Sequence, residues 1–133
     1  IRSSCGDRAV LRAMHFYGDN ARVEKQAAAL KAGDFETFKK YIIESGRSSY
    51  MYNQNVYSCK KASEQPVSLA LSLSEKLLDG CGAWRVHGGG FAGTIQAFVP
   101  LNKLDEYKDL MEKVFGSGSC YILSVRPVGG VEL

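Results

Sequence analysis

Trp84-Arg85-Val86-His87-Gly88-Gly89-Gly90-Phe91-Ala92-Gly93-Thr94-Ile95-Gln96-Ala97-Phe98-Val99 is the stretch on which the fold turns. Trp84-Arg85-Val86 reads as a short strand. Thr94 to Val99 reads as a second, with Ile95, Ala97 and Val99 on one face and Phe98 on the other. Between them lie Gly88, Gly89, Gly90 and Gly93, bare main chain that admits positive φ and lets another group approach closely. Spacing alone leaves two readings open, a tight structural hairpin and a loop that faces a ligand. The run is not a P-loop, because no Lys-Ser/Thr follows and no helix begins there. The missing helix also excludes a dinucleotide fingerprint.

Outward from this hairpin the period is helical. On the N-terminal side, Val10, Met14, Tyr17, Ala21 and Ala28 mark the apolar stripe of a first helix from about Asp7 to Leu30. Gly33 stops it and Asp34 caps a second helix, whose buried face carries Phe35, Phe38, Ile42 and Ile43. Gly46 to Ser58, with Tyr50, Tyr52 and Tyr57, reads as a connecting loop or short irregular helix. Its tyrosines are placed to pack it onto the helices or to stack on a base. Pro66 opens a third helix whose core face is Val67, Ala70, Leu71, Leu77 and Leu78, and Gly80 ends it. Beyond Pro100, Asn102 is placed to cap a fourth helix carrying Leu104, Tyr107, Met111, Val114 and Phe115. Cys120 to Val125 is expected as a third strand and Val128 to Leu133 as a fourth. This order predicts one domain over residues 1–133 of class α+β, an antiparallel sheet covered by helices and related to the ferredoxin-like split β-α-β arrangement. Such a fold hosts many functions and argues for none.

Composition narrows the classes. A chain of 133 residues with 45% hydrophobic and 23% charged residues can bury a core of its own. No apolar run approaches the roughly 20 residues of a membrane span. A net charge of +3, spread along the chain, is too weak and diffuse to argue for nucleic acid. Cys5, Cys59, Cys81 and Cys120 form no C-x-x-C pair and have no His at metal-ligand spacing, so reduced thiols in a cytoplasmic protein are expected and no metal site. The chain opens on Ile1 without an initiator Met or a signal-peptide core, as a fragment would.

The stretch Trp84 to Gly93 resembles the third signature motif of the GHMP small-molecule kinases in its galactokinase form. Arg12-Ala13-Met14-His15, the Gln26 to Phe35 helix junction and Glu44-Ser45-Gly46-Arg47-Ser48-Ser49 resemble further segments of that family, in order. Two departures stand out beside a third: His87 replaces the usual Thr or Ser, Ala92 replaces a Gly, and Gly46 stands where many members have His. The resemblance implies the C-terminal domain of an ATP- and magnesium-dependent kinase that phosphorylates the anomeric hydroxyl of galactose. It further implies that His87, Gly88, Gly89, Gly90, Phe91 and Gly93 line the cleft for substrate and nucleotide. The family's phosphate loop, sugar-reading motif and catalytic Asp belong to an N-terminal domain, and none of them occurs here. No catalytic residue is therefore expected in this chain, which would be inactive alone and partnered by that domain. Glu44-Ser45-x-Arg47-Ser48 and Val125-Arg126-Pro127 favour galactokinase over a mevalonate, homoserine or other sugar kinase; a non-catalytic sugar or nucleotide sensor is the alternative of a different class.

The other candidates stay bland. His15, between Met14 and Phe16, reads as a packed or hydrogen-bonded histidine. Arg85 reads as half of a surface ion pair rather than a phosphate ligand. Cys81 and Cys120 read as small core residues rather than nucleophiles. Phe98 and Tyr121 would serve a nucleic-acid module only on an exposed sheet face.

Overall fold

In the computed structural model, which describes residues 2–91 and 93–124, the helical and extended segments fall close to where the residue pattern puts them. Among the described residues there are four α-helices: α1 (Arg2–Lys31), α2 (Phe35–Ser48), α3 (Pro66–Leu78) and α4 (Leu104–Phe115). Strands β1 (Ala83–Val86) and β2 (Ile95–Phe98) form a two-stranded antiparallel sheet. The architecture is α+β. The register pairs Ala83 with Phe98, Trp84 with Ala97, Arg85 with Gln96 and Val86 with Ile95.

Local chemistry accounts for the boundaries. Helix α1 is broken at Gly6 (φ 76, ψ 167), so its regular run starts at Asp7. Gly33 (φ 71) lets the chain turn after α1, and Asp34 caps α2 by accepting from the Thr37 amide at 3.0 Å. Pro66 sits in the first turn of α3. Two lysines close the other end of α3: Lys39 donates to the Cys81 carbonyl at 3.0 Å and Lys103 to the Leu77 carbonyl at 3.3 Å. Both charges complement the negative end of that helix.

The core gathers Ala70, Leu78, Trp84, Tyr107 and Met111, with Ile95, Ala97 and Val99 of the second strand segment packed against it. Phe98 points the other way and meets Phe38 edge-on at 5.2 Å. One buried polar pair crosses the core. The Ser74 hydroxyl lies 2.8 Å from the Ala70 carbonyl and 2.9 Å from the Tyr107 hydroxyl. Burial pushes the Tyr107 phenol up, against the opposing effect of that bond.

Four expectations need correction. Of the apolar stripe of α1 only Val10 is half-buried: Met14 is 53% and Tyr17 72% exposed, and Ala21 and Ala28 are exposed as well. The inward positions are Leu11, His15, Gly18, Arg22, Gln26 and Ala29, and polar side chains make much of that seam. His15 Nδ1 lies 3.0 Å from Ser48 Oγ, and Gln26 donates to the Tyr41 carbonyl at 3.4 Å. Phe35, the first residue of α2, is likewise exposed. Asn102 caps nothing: it lies in a 3₁₀ turn (Leu101–Lys103), and the first turn of α4 carries Asp105 and Glu106 instead. Cys120 to Ser124 has no ladder partner among the described residues, so the crossover of a split β-α-β sheet is not formed among them. Val125 and the Val128 to Leu133 strand lie outside the described residues.

Helix α2 rides directly on β1 at Gly46. A Cβ there would lie 3.0 Å from Arg85 Cβ and 3.1 Å from both Arg85 Cα and the Trp84 carbonyl. Replacing Gly46 by Ala sets two effects against each other. Removing a mid-helix glycine gains about 1 kcal/mol. Overpacking against a main chain that cannot swing aside costs about 1–3 kcal/mol. Overpacking is expected to win, so Gly46→Ala should lower the urea midpoint; a raised midpoint would show that α2 lifts freely off the strand. A second outcome concerns acid. Hydrogen bonds from Thr37, the backbone one foremost, hold the Asp34 carboxyl below its ordinary 3.8. A depressed carboxyl contributes stability above that value and loses it as pH falls through the lower folded value. Asp34→Asn should flatten that part of the acid-side loss in a pH series of thermal melts, and an unchanged acid slope would remove Asp34 from the account.

Candidate functional site

The loop from His87 to Gly93 joins the two strands at one end of the sheet. His87, Gly88, Gly89, Phe91 and Gly93 are exposed and Gly90 is half-buried. His87 donates its amide to the Thr94 carbonyl at 3.4 Å, which extends the hairpin by one weak rung. Thus the loop has an open outer face, and the six residues singled out from the sequence lie together along it. Ala92 lies outside the described residues.

The inner face rests on Asn55, which sequence reasoning missed. Helix α2 runs into a π turn (Ser49–Asn53), and Gln54 takes the left-handed conformation (φ 55). That reversal sets Asn55 inside, 2% exposed. Its side-chain amide donates to the Gly89 carbonyl at 3.2 Å, and its Oδ1 accepts from the Ser49 hydroxyl at 3.0 Å. Its own carbonyl accepts from the Phe91 amide at 2.8 Å. An asparagine in a polar, tyrosine-rich stretch carries no local signal of burial. Its partner is 34 residues away, and only the tertiary fold brings them together.

The glycines then fall into three kinds. At Gly90 (φ 72) a Cβ would overlap the Asn55 carbonyl oxygen, so Asn55 excludes any side chain there. Gly88 (φ 68) and Gly93 (φ 84) meet nothing within 4 Å but hold left-handed backbone. Gly89 has neither constraint: its φ lies outside that region and a Cβ would meet nothing within 4 Å. Phe91 is the reverse case, a bulky residue at φ 55 with its ring 54% exposed. Such a conformation costs on the order of 1–2 kcal/mol, which the bond from its amide to Asn55 offsets.

The remaining candidates fall elsewhere. Arg85 forms no ion pair among the described residues: Nε donates to Gln96 at 3.1 Å and Nη1 to Ser45 at 3.4 Å. The expected surface ion pair is thus replaced by neutral partners, because the register sets Gln96 opposite Arg85. Arg85 lines a separate shallow groove of about 230 Å³ between α2 and α3, with Gly46, Arg47, Tyr50, Ser72 and Glu75. Tyr50 and Tyr57 tilt against each other, ring centroids 6.4 Å apart. All four cysteines are free. Burial, with Glu112 nearby, pushes the Cys120 thiol up against the pull of Lys108, the opposite of what a nucleophile needs. Tyr121 lies outside the sheet, so no aromatic pair stacks on one sheet face.

Among the described residues no group of three or more His, Cys, Asp or Glu side chains is placed to hold a metal ion, so these residues do not fit a magnesium site. None of the described helices is long and apolar enough to cross a membrane. The site is a glycine loop held from beneath, which can admit a close neighbour and carries one titratable side chain, the exposed His87.

Against known proteins, no family model and no solved structure matches the chain. A galactokinase from Homo sapiens is 28% identical over 122 residues. The match takes in 92% of this chain and 29% of that protein. The chain is thus similar to galactokinase over nearly its whole length, while it spans under a third of that relative.

Two substitutions one residue apart separate the demands on the loop. Gly90→Ala should destabilise the chain by roughly 2–5 kcal/mol, from left-handed strain and collision with Asn55. Gly89→Ala should stay within about 0.5 kcal/mol. Chemical denaturation measures both, and equal losses would contradict the division of the loop into packed and open glycines.

Proposed function

We propose that this chain is the C-terminal domain of an ATP-dependent galactokinase and that His87 to Gly93 forms one wall of its cleft. Gly89 is the observation that carries the reading. Among the described residues neither a neighbour nor a positive φ requires a glycine there, and a group from outside that approaches the main chain closely would account for it. Phe91 supports it, since a large ring on left-handed backbone at the surface suits a second surface laid against the loop. Exposed Met14, Phe16, Tyr17 and Val23, spread over two flanks of α1, leave apolar surface on which a second domain could pack. The similarity to galactokinase supplies the chemistry: transfer of a phosphoryl group from ATP to the anomeric hydroxyl of galactose, with magnesium, in the cytoplasm. Phosphoryl transfer rests on positioning and on neutralising charge. This domain would contribute positioning, and the metal and phosphate contacts would belong to the other domain.

The test is galactose-dependent ADP release by the longer protein. Turnover that requires galactose, ATP and magnesium together is expected, and none from residues 1–133 alone. Binding of galactose and ATP without turnover would favour the non-catalytic sensor, and turnover with mevalonate or homoserine in place of galactose would move the substrate. Within the active protein, Gly89→Val should lower kcat at least about tenfold while leaving the unfolding midpoint in place, because the added bulk intrudes only on the bound state. Unchanged kinetics would remove the loop from the cleft.

A further inference from the structure

We infer that Asn55 is the positioning residue of the glycine loop, fixing the main-chain path of Gly88 to Phe91 and hence the shape of the wall they form. The cleft-wall part of this rests on the function proposed above; the latch itself rests on geometry alone. Three bonds meet at this one buried residue. Its side-chain amide spans from the Ser49 hydroxyl to the Gly89 carbonyl, and its main-chain carbonyl holds the Phe91 amide. The amide's orientation follows from chemistry: the Gly89 carbonyl only accepts, so the nitrogen faces it, and the oxygen is left for the Ser49 hydroxyl. The two contacts on the loop bracket Gly90, whose missing side chain leaves room for the Asn55 carbonyl. No other described side chain hydrogen-bonds to the loop main chain from Gly88 to Phe91.

Ser49 gives the latch its anchor. It is buried at the junction of α2 and the π turn, one residue after Ser48, which bonds His15 of α1. The loop is thereby fastened to the α1–α2 pair rather than to its own hairpin, and the π turn followed by left-handed Gln54 is the device that swings Asn55 beneath it. Loss of the latch would free the loop without dismantling the core around Trp84 and Leu78, because neither Asn55 nor Ser49 belongs to that cluster.

Asn55→Asp tests this with little change of shape. The carboxylate keeps an acceptor for Ser49 but turns a second oxygen toward the Gly89 carbonyl, replacing attraction by repulsion. Ser49→Ala is the companion, removing one bond without adding charge. Amide hydrogen exchange of the intact protein reads residues 88–91 against α2 and α3 in the same sample. Loop exchange should rise about tenfold or more in Asn55→Asp and by a smaller factor in Ser49→Ala, with the helices unchanged, since one lost buried bond loosens only the segment it holds. Loop rates equal to wild type in both variants, or loop and helices accelerating together, would overturn the assignment. If Asn55→Asp does not fold, Ser49→Ala decides on the same criterion. The kinetic arm is separate. In a wild type that phosphorylates galactose, Asn55→Asp should lower kcat about ten- to a hundredfold with KM for galactose changed far less, because misplacing a wall costs most in the transition state. A wild type without turnover ends the kinase reading and leaves the exchange result to judge the latch.

Discussion

The seating of α2 on β1 at Gly46 sets the position of nearly everything that matters at the loop. Because the helix touches strand main chain with no side chain between them, its axis has little freedom to slide or lift. The end of α2 is thereby placed against the sheet, and the π turn and Gln54 carry that placement into Asn55. From Asn55 it passes to Gly89 and Phe91. The departure at Gly46, where the resembling family has His, therefore acquires a structural reason: in this chain the position is filled by the strand. Whatever a histidine does there in other proteins, this backbone leaves no room for it without moving α2, and moving α2 would move the latch.

A loop of this kind solves a conflict. The cleft wall proposed above would have to be rigid to position a substrate, yet glycine is the residue that loses most entropy on ordering. The chain resolves it by dividing the labour. Gly90 is a glycine so that Asn55 can come close, Gly88 and Gly93 are glycines so that the chain can turn, and Asn55 supplies the order they lack. Gly89 alone of the four has neither a positive φ nor a neighbour that a Cβ would meet, and only its carbonyl is held, by Asn55. Rigidity is thus imported from a buried amide anchored on a helix, and the outer surface is left free of side chains.

Much of the secondary structure is legible because it is written in short-range chemistry. Asp34 with Thr37, Gly33 after α1, Pro66 at the start of α3 and the alternation of Ile95, Ala97 and Val99 each act within a few residues. The illegible parts depend on partners far along the chain. The stripe of α1 misleads because hydrophobic period tells which residues share a face, not what covers it. The inward seam is instead held by His15 on Ser48 and Gln26 on Tyr41, polar contacts that period does not register. The glycine loop is legible as a loop and its neighbours as a candidate site, but the residue beneath it is not. Asn102 fails as a cap for a related reason: a 3₁₀ turn consumes it, and tertiary context chooses Lys103 to close α3 instead.

Two surfaces of this chain are in tension with its being satisfied on its own. Helix α1 exposes Met14 and Tyr17 on one flank and Phe16 and Val23 on the opposite flank, and the segment after α4 exposes Tyr121, Ile122 and Leu123. Scattered exposed apolar residues such as those on α1 are ordinary, whereas Tyr121, Ile122 and Leu123 are exposed in succession. The same molecule spends buried polar bonds on holding a loop that is mostly bare main chain. In the two-domain enzyme proposed above, a second body would account for both. Apolar area on α1 would stabilise its docking, and docking would bring a charged, metal-bearing half against a wall that must be shaped but need not be reactive. On that account the care taken over Gly88 to Phe91 would be this half's share of a division of work, in which it fixes geometry and the other half binds charge.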